Sequence, residues 1–247
     1  MRHTFRYMVA PPPEPGQEVA LSADDSRHLA RVVRRRPGDE VELTDGAGRL
    51  WPAVVLGTGP PAVVRVGEAR AAPAPAPVAL YLGLAEWGRI DLVVEKTAEL
   101  GLREVVLLTT ERTRRVPGPE AWSRRRERLA RVGAAAARQS GQAWLPAVRG
   151  LVPFSEVLAE IPTGEGYLID PRGEASLPAA GASGGAPGRM ALMVGPEAGF
   201  SEREVAAARE SGLAVCRLGP TVLRSETAAL VAVSLALAAT GRFGAAG

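Results

Sequence analysis

The chain has 247 residues, is 46% apolar and 23% charged, and carries a formal net charge of +3. That composition suits one large or two modest folded domains and excludes a wholly disordered chain. No apolar run reaches the roughly 18 residues that span a bilayer, the start lacks a secretory leader pattern, and a single cysteine, Cys216, with two histidines excludes an internal disulfide or a His/Cys zinc cluster.

A cytoplasmic protein without membrane attachment or structural metal is therefore expected. Ser22 with Asp25 caps a predicted helix over 23–35. Val41 to Gly46 alternates and then turns, and 50–56 and 62–66 are strand candidates. These elements fit a small β-barrel or sandwich, whose few aromatics do not support a base-stacking platform. The run Ala71-Ala72-Pro73-Ala74-Pro75-Ala76-Pro77 reads as a semi-rigid linker. Beyond it, strands over 78–84, 105–109, 166–170, 190–194 and 213–218 alternate with helices over 91–100, 122–140, 202–210 and 226–240. A Gly/Ala/Ser loop is expected over 181–188. Such alternation predicts a mostly parallel sheet covered by helices. The expected division is a domain over 1–70, a linker over 71–77 and a second domain over 78–247.

Charge is unevenly spread. Residues 1–70 carry a net +1, 71–150 a net +5 and 151–247 a net −3. The basic middle is densest from Arg112 to Arg131, and Arg31, Arg34, Arg35 and Arg36 form a second cluster. Guanidinium stripes bind phosphate backbones bidentately, although a solvated helix face reads the same way.

The last 60 or so residues carry the chemistry. Met190 to Val194 runs into Gly195-Pro196-Glu197-Ala198-Gly199, and Ser201 with Glu204 then forms a capping box. Ala214 to Leu218 runs into Gly219-Pro220, followed by Arg224-Ser225-Glu226 and an apolar helix. Two Gly-Pro loops thus leave the carboxyl ends of two predicted strands, the edge where open parallel sheets bind ligands. Neither loop has the pattern of a phosphate or dinucleotide loop. Each places an acid, Glu197 or Glu226, where a phosphate would sit, and an acid repels a phosphate. The loops favour a ligand that is locally neutral or cationic, and S-adenosylmethionine has that character. Tight turns alone would use the same glycines and prolines. The last helix is apolar nearly all round, which fits either core packing or a second subunit.

In order along the chain, Gly195-Pro196-Glu197-x-Gly199-Phe200-Ser201 and Leu218-Gly219-x-x-x-Leu223-Arg224-x-Glu226-Thr227-Ala228 resemble the signature of the SPOUT methyltransferases. More narrowly, the chain resembles the bacterial family that methylates N3 of a uridine in small-subunit ribosomal RNA. Arg6-Tyr7, His28 to Arg34, Pro37-Gly38-Asp39 and Asp45-Gly46 are similar to its PUA-like first domain. Glu95-Lys96 to Gly101 and Gln139-Ser140-Gly141 are similar to its central motifs. The resemblance implies an α/β fold with a PUA-like β-barrel before a parallel-sheet domain ending in a trefoil knot. It implies a homodimer that acts on ribosomal RNA or the small ribosomal subunit. It carries the cofactor role to Leu168, Asp170, Gly195, Pro196, Glu197, Gly199, Leu218, Gly219, Leu223 and Arg224. Arg224 and Glu226 become the catalytic candidates, and Arg6, Arg34, Arg35 and Gln139 the RNA contacts. Arg138 and Gln142 depart from the family pattern, which has Glu and Arg there, so the alternatives concern the acceptor: a SPOUT enzyme for another RNA position or a small metabolite, or a non-catalytic RNA-binding ribosome-assembly protein.

Overall fold

Val78 to Gly83 is apolar at nearly every position, and all six residues are buried in one strand. A strand buried on both faces belongs inside a parallel sheet covered by helices, and the rest of the chain is built to that plan. The structure is a computed structural model and describes residues 5–177 and 189–241. The loop expected over 181–188 lies outside the described residues. The chain divides into two units: one runs to Ala74 and includes Ala137–Leu145, and the other comprises Pro75–Ala136 and the chain from Pro146 onward.

The first unit is a six-stranded sheet of β1 (Arg6–Met8), β2 (Glu18–Ala20), β3 (Glu40–Thr44), β4 (Arg49–Gly57), β5 (Val63–Val66) and β6 (Arg70–Ala71). The strand order is β1-β3-β4-β5-β2, with β6 beside β4. Alternation along β4 sends Trp51, Ala53 and Val55 inward and Pro52 and Val54 outward. Tyr7, Leu29, Leu43, Trp51 and Val64 fill the interior. Ser22 caps α1 (Ala23–Arg27) by accepting from the Asp25 amide, as its sequence position predicts. The helix does not continue regularly to residue 35. It passes into a π-helical turn over His28–Val32, and Arg34 takes φ +55°, a backbone state that ends a helix. Residues 137–145 belong to this unit through Ala143, whose carbonyl accepts from Thr44 Oγ1 at 3.3 Å and the Gly48 amide at 3.1 Å.

The second unit is a seven-stranded, all-parallel sheet in the order β11-β13-β10-β12-β7-β8-β9. Its strands are β7 (Val78–Gly83), β8 (Glu104–Thr109), β9 (Ala147–Pro153), β10 (Gly166–Ile169), β11 (Ala175–Ser176), β12 (Met190–Val194) and β13 (Ala214–Arg217). Leu80, Leu82, Leu107 and Leu192 face a core closed by α2 (Trp87–Glu99), α3 (Pro119–Gln139) and α6 (Ser225–Ala239). Alternate residues Tyr81, Val106, Leu168 and Met193 face a second core closed by α4 (Phe154–Glu160) and α5 (Glu202–Glu210). Burial of each such side chain stabilises the fold by about 1.5–3 kcal/mol. The expected α/β class is what the chain adopts. β9 and α4 have no counterpart in the sequence-based reading: Pro146, Gly150 and Pro153 break the strand's pattern, and α4 is too short to show a helical period.

One face of α6 is buried within its own unit by Ala229, Ala232, Val233, Ala236 and Leu237. Leu230, Val231 and Leu235 on the other side stay partly exposed. Among the described residues no helix is long and apolar enough to cross a membrane.

Candidate active site

Parallel strands all end on one edge of their sheet, so the segments after β10, β12 and β13 leave from the same side. Those segments enclose a cavity of about 310 Å³, at the lower end of small-molecule sites. Ile169, Val194, Leu218, Leu223 and Ala228 supply apolar wall. Gly195, Pro196, Glu197 and Gly199 come from one loop, Gly219 from the other, and Arg89 and Arg224 add charge.

The loops are held tightly. A Cβ on Gly83, at the end of β7, would lie 2.4 Å from the Pro196 nitrogen, so only glycine lets that loop cross the strand end. Gly219 takes φ +147°, a conformation that side chains with a Cβ avoid. The Gly199 amide closes a turn onto the Pro196 carbonyl at 2.8 Å, and Arg112 Nη1 donates to the Ala198 carbonyl at 2.6 Å. Ser201 and Glu204 form the expected capping box on α5. The buried Glu204 carboxylate also accepts from the Glu111 amide at 2.8 Å, which ties the loop after β8 to the start of α5.

Charge at the site converges on Arg89, from the first turn of α2. Its Nη1 lies 3.3 Å from Glu226 Oε2, and its Nε lies 3.6 Å from both Glu197 Oε1 and Glu86 Oε2. The Glu86 amide donates to Glu197 Oε1 at 3.1 Å. One guanidinium thus holds three carboxylates. Glu226 is not on the cavity wall and reaches the site through Arg89. Arg224 caps the start of α6 with its backbone extended; its side chain is exposed at the cavity. Among the described residues it makes no ion pair, and Glu226, two residues on, pairs with Arg89 instead.

Asp170 is 3% exposed and lines the cavity. Burial pushes its carboxyl up, but hydrogen bonds from the Arg172 side chain and amide, with the charge of Arg172, outweigh that and hold it below the usual range. Arg172 also donates to the Phe200 carbonyl at 2.9 Å, so this pair links the β10 and β12 loops. Cys216, buried in β13, has its thiol pushed up to about 11 by that burial.

All the residues expected to hold a cofactor line the cavity except Leu168, which is fully buried in the opposite core beside Tyr81 and Met193. Its neighbour Ile169 faces the cavity instead, as strand alternation requires. Arg89 is the principal residue the motif reading missed. Its role is visible only once α2 is set beside α6.

The candidate RNA contacts lie in the first unit. Arg6 is engaged: its Nε donates to Glu42 Oε2 at 2.7 Å, and it also reaches the Gly141 carbonyl. Arg34 is exposed. Arg35 sits over the Phe5 ring at 5.7 Å, with its Nε buried and, among the described residues, without a hydrogen-bond partner. Gln139 is exposed near the end of α3.

A family model described as an RNA methyltransferase domain matches residues 72–237. The chain belongs to this RNA methyltransferase family. A second model, the RNA methyltransferase PUA domain, matches residues 21–65 in the first unit. The family expected from the Gly-Pro-Glu and Leu-Gly motifs is the family found. The chain is 32% identical over 244 residues to the ribosomal RNA small subunit methyltransferase E of Mycobacterium bovis, covering 94% of this chain and 90% of that protein. It is 29% identical over 236 residues to the protein of the same name from Synechocystis, covering 93% of this chain and 76% of that one. Among solved structures, it resembles a ribosomal RNA small subunit methyltransferase E from Neisseria gonorrhoeae bound to S-adenosyl methionine (TM-score 0.79, 26% identity, 96% and 98% coverage). A methyltransferase from Legionella pneumophila in complex with the same cofactor is similar at TM-score 0.78 and 26% identity, with 96% and 98% coverage.

Proposed function

We propose that this RNA methyltransferase uses S-adenosylmethionine to methylate N3 of a uridine in small-subunit ribosomal RNA. The observation that carries the reading is the cavity itself, a ligand site at a parallel-sheet edge that presents carboxylates and no phosphate loop. The residues present fit such a cofactor. Apolar wall from Ile169, Val194, Leu218 and Leu223 suits an adenosine. Backbone at Gly195 and Gly219 permits close approach, and Glu197 suits a cationic group. Bound there, the cofactor supplies a methyl group activated on a sulfonium.

The uridine nitrogen must lose a proton to become a nucleophile, and a positioned cation favours that ionised form. Arg224, exposed at the cavity and without an ion pair among the described residues, has the charge and the freedom to stabilise the developing anion. Glu226, held by Arg89 behind the cavity wall, either orders the cations beside the cavity or, released toward the bound substrate, takes the proton. No histidine follows His28 in the chain, which leaves these groups to the task. The chain is further proposed to act as a homodimer, with the partly exposed Leu230, Val231 and Leu235 of α6 as supporting surface, and in the cytoplasm where its RNA is assembled.

Methyl incorporation into small-subunit RNA, free and assembled, tests the reading alongside calorimetry with S-adenosylmethionine. Wild-type protein should bind the cofactor at micromolar level and label the RNA. Arg224→Ala and Glu226→Ala should retain cofactor binding and lose most turnover. Full turnover in both variants overturns the assignment of roles. Absence of cofactor binding by the wild type overturns the function.

A further inference from the structure

A second, larger cavity of about 880 Å³ adjoins the first, and Pro196 and Glu197 line both. The loop after β12 is therefore a partition, with the ligand cavity on one side and this cleft on the other. Arg112, Arg114, Arg115 and Arg125 line the cleft, and its acids are Glu86 and Glu197. Both acids are already held by Arg89. Arg112 is committed in part to the Ala198 carbonyl. Arg114, Arg115 and Arg125 make no ion pair among the described residues, so the cleft is cationic on balance. Its wall also carries Trp87, at the start of α2, with the Arg125 guanidinium 4.9 Å from the indole centroid. An indole with a guanidinium over it, beside further guanidinium groups, matches a nucleotide: the planar Trp87–Arg125 pair takes a base, and the guanidinium forks of Arg114 and Arg115 take phosphates.

We infer that this cleft seats a nucleotide of the RNA flanking the acceptor, with its base against the Trp87–Arg125 pair and its phosphates on Arg114 and Arg115. The inference rests on the methyltransferase reading for the word acceptor, but not for the binding. It differs from the general expectation of a basic stripe, because half of that stripe is not on the cleft wall. Arg128, for instance, is bound to Asp91 at 2.7 Å, and Arg124, Arg126 and Arg131 are not on the cleft wall.

The test is binding of a labelled single-stranded oligouridine, followed by fluorescence anisotropy without cofactor, for wild type, Trp87→Ala, Trp87→Phe and the double variant Arg114→Ala/Arg115→Ala. The arginine pair is exposed, and a thermal melt checks that each variant is folded. The double variant should bind about tenfold more weakly, with the slope of log K against log salt reduced by about 1.4 for two lost single-strand phosphate contacts. Trp87→Ala should lose about tenfold or more, and Trp87→Phe should recover much of it. Inorganic polyphosphate, which has no base, should respond to the arginine variant and not to Trp87→Ala. Calorimetry with S-adenosylmethionine should be unchanged in all of them. Unchanged oligouridine affinity and salt slope in folded variants would overturn the inference. So would equal sensitivity of polyphosphate and oligouridine to every substitution, which would reduce the cleft to a cation patch. If the wild type fails to bind the cofactor yet the oligouridine results hold, the methyltransferase reading fails and the nucleotide seat stands.

Discussion

Arg89 sets the charge balance of the active site, because Glu226, Glu197 and Glu86 all lie within 3.6 Å of its guanidinium. Arg89→Ala would leave carboxylates to repel one another and free Glu226 to move. Turnover should fall by about tenfold or more in kcat/KM. Arg89→Lys should restore part of the rate. Asp170 gives a second prediction. Its carboxyl is held below the ordinary aspartate value of 3.8 by Arg172 despite burial. A depressed carboxylate contributes stability that is complete above its unfolded value and is lost as the pH falls through its folded value. Wild type should therefore lose more stability than Asp170→Asn as the pH falls below about 4, read from urea midpoints at a series of pH values. The family resemblance marked Asp170, at the end of the predicted strand over 166–170, but its partner two residues on was visible only as one arginine among many.

At the scale of elements, the loops that form the cavity are kept in place by local chemistry. Ser201→Ala removes one half of the capping box on α5 and should cost about 1 kcal/mol, seen as a lower denaturation midpoint with cofactor affinity nearly unchanged. Gly83→Ala is the harsher change. Its new methyl would need the space of the Pro196 nitrogen, so the loop after β12 must shift. Stability should fall by about 1–3 kcal/mol, and calorimetry should show weakened cofactor binding. The contrast between the two variants separates support of the helix from support of the cavity. The capping box and the buried strands were legible from sequence because their signals span only a few residues. The π-helical turn at 28–32 was not, because helical periodicity does not register one extra residue per turn. Nor were β9 and α4, the one broken by prolines and glycine and the other only seven residues long.

For the whole molecule, the excess of positive charge in residues 71–150 has a measurable consequence. RNA affinity should fall steeply between about 50 and 200 mM salt as condensed counterions compete for the guanidinium groups. Affinity for S-adenosylmethionine should change far less over the same range, because its binding releases no condensed counterions from a polyphosphate backbone. Titrations of both ligands at a series of salt concentrations check this, and a flat RNA response would remove phosphate contacts from the account. Charge counting found the basic region but not its division into paired and unpaired arginines. That division depends on which acids the fold brings alongside, as Asp91 meets Arg128 and Glu104 meets Arg149.

The sequence by itself determined the alternation of β7, β8, β10, β12 and β13 with α2, α3, α5 and α6, the two Gly-Pro loops, the caps on α1 and α5, and the family. Each of these is written in residues a few positions apart, where backbone preference and hydrophobic period act directly. Only the tertiary structure decided that Ile169 and not Leu168 faces the cavity, that residues 137–145 join the first unit, and that Trp87 stands in a cleft of arginines. It also decided that Glu226 pairs with an arginine 137 positions away. These follow from the strand order β13-β10-β12-β7, which is set by burial of the whole sheet between two helical layers. No local propensity encodes which distant strands become neighbours.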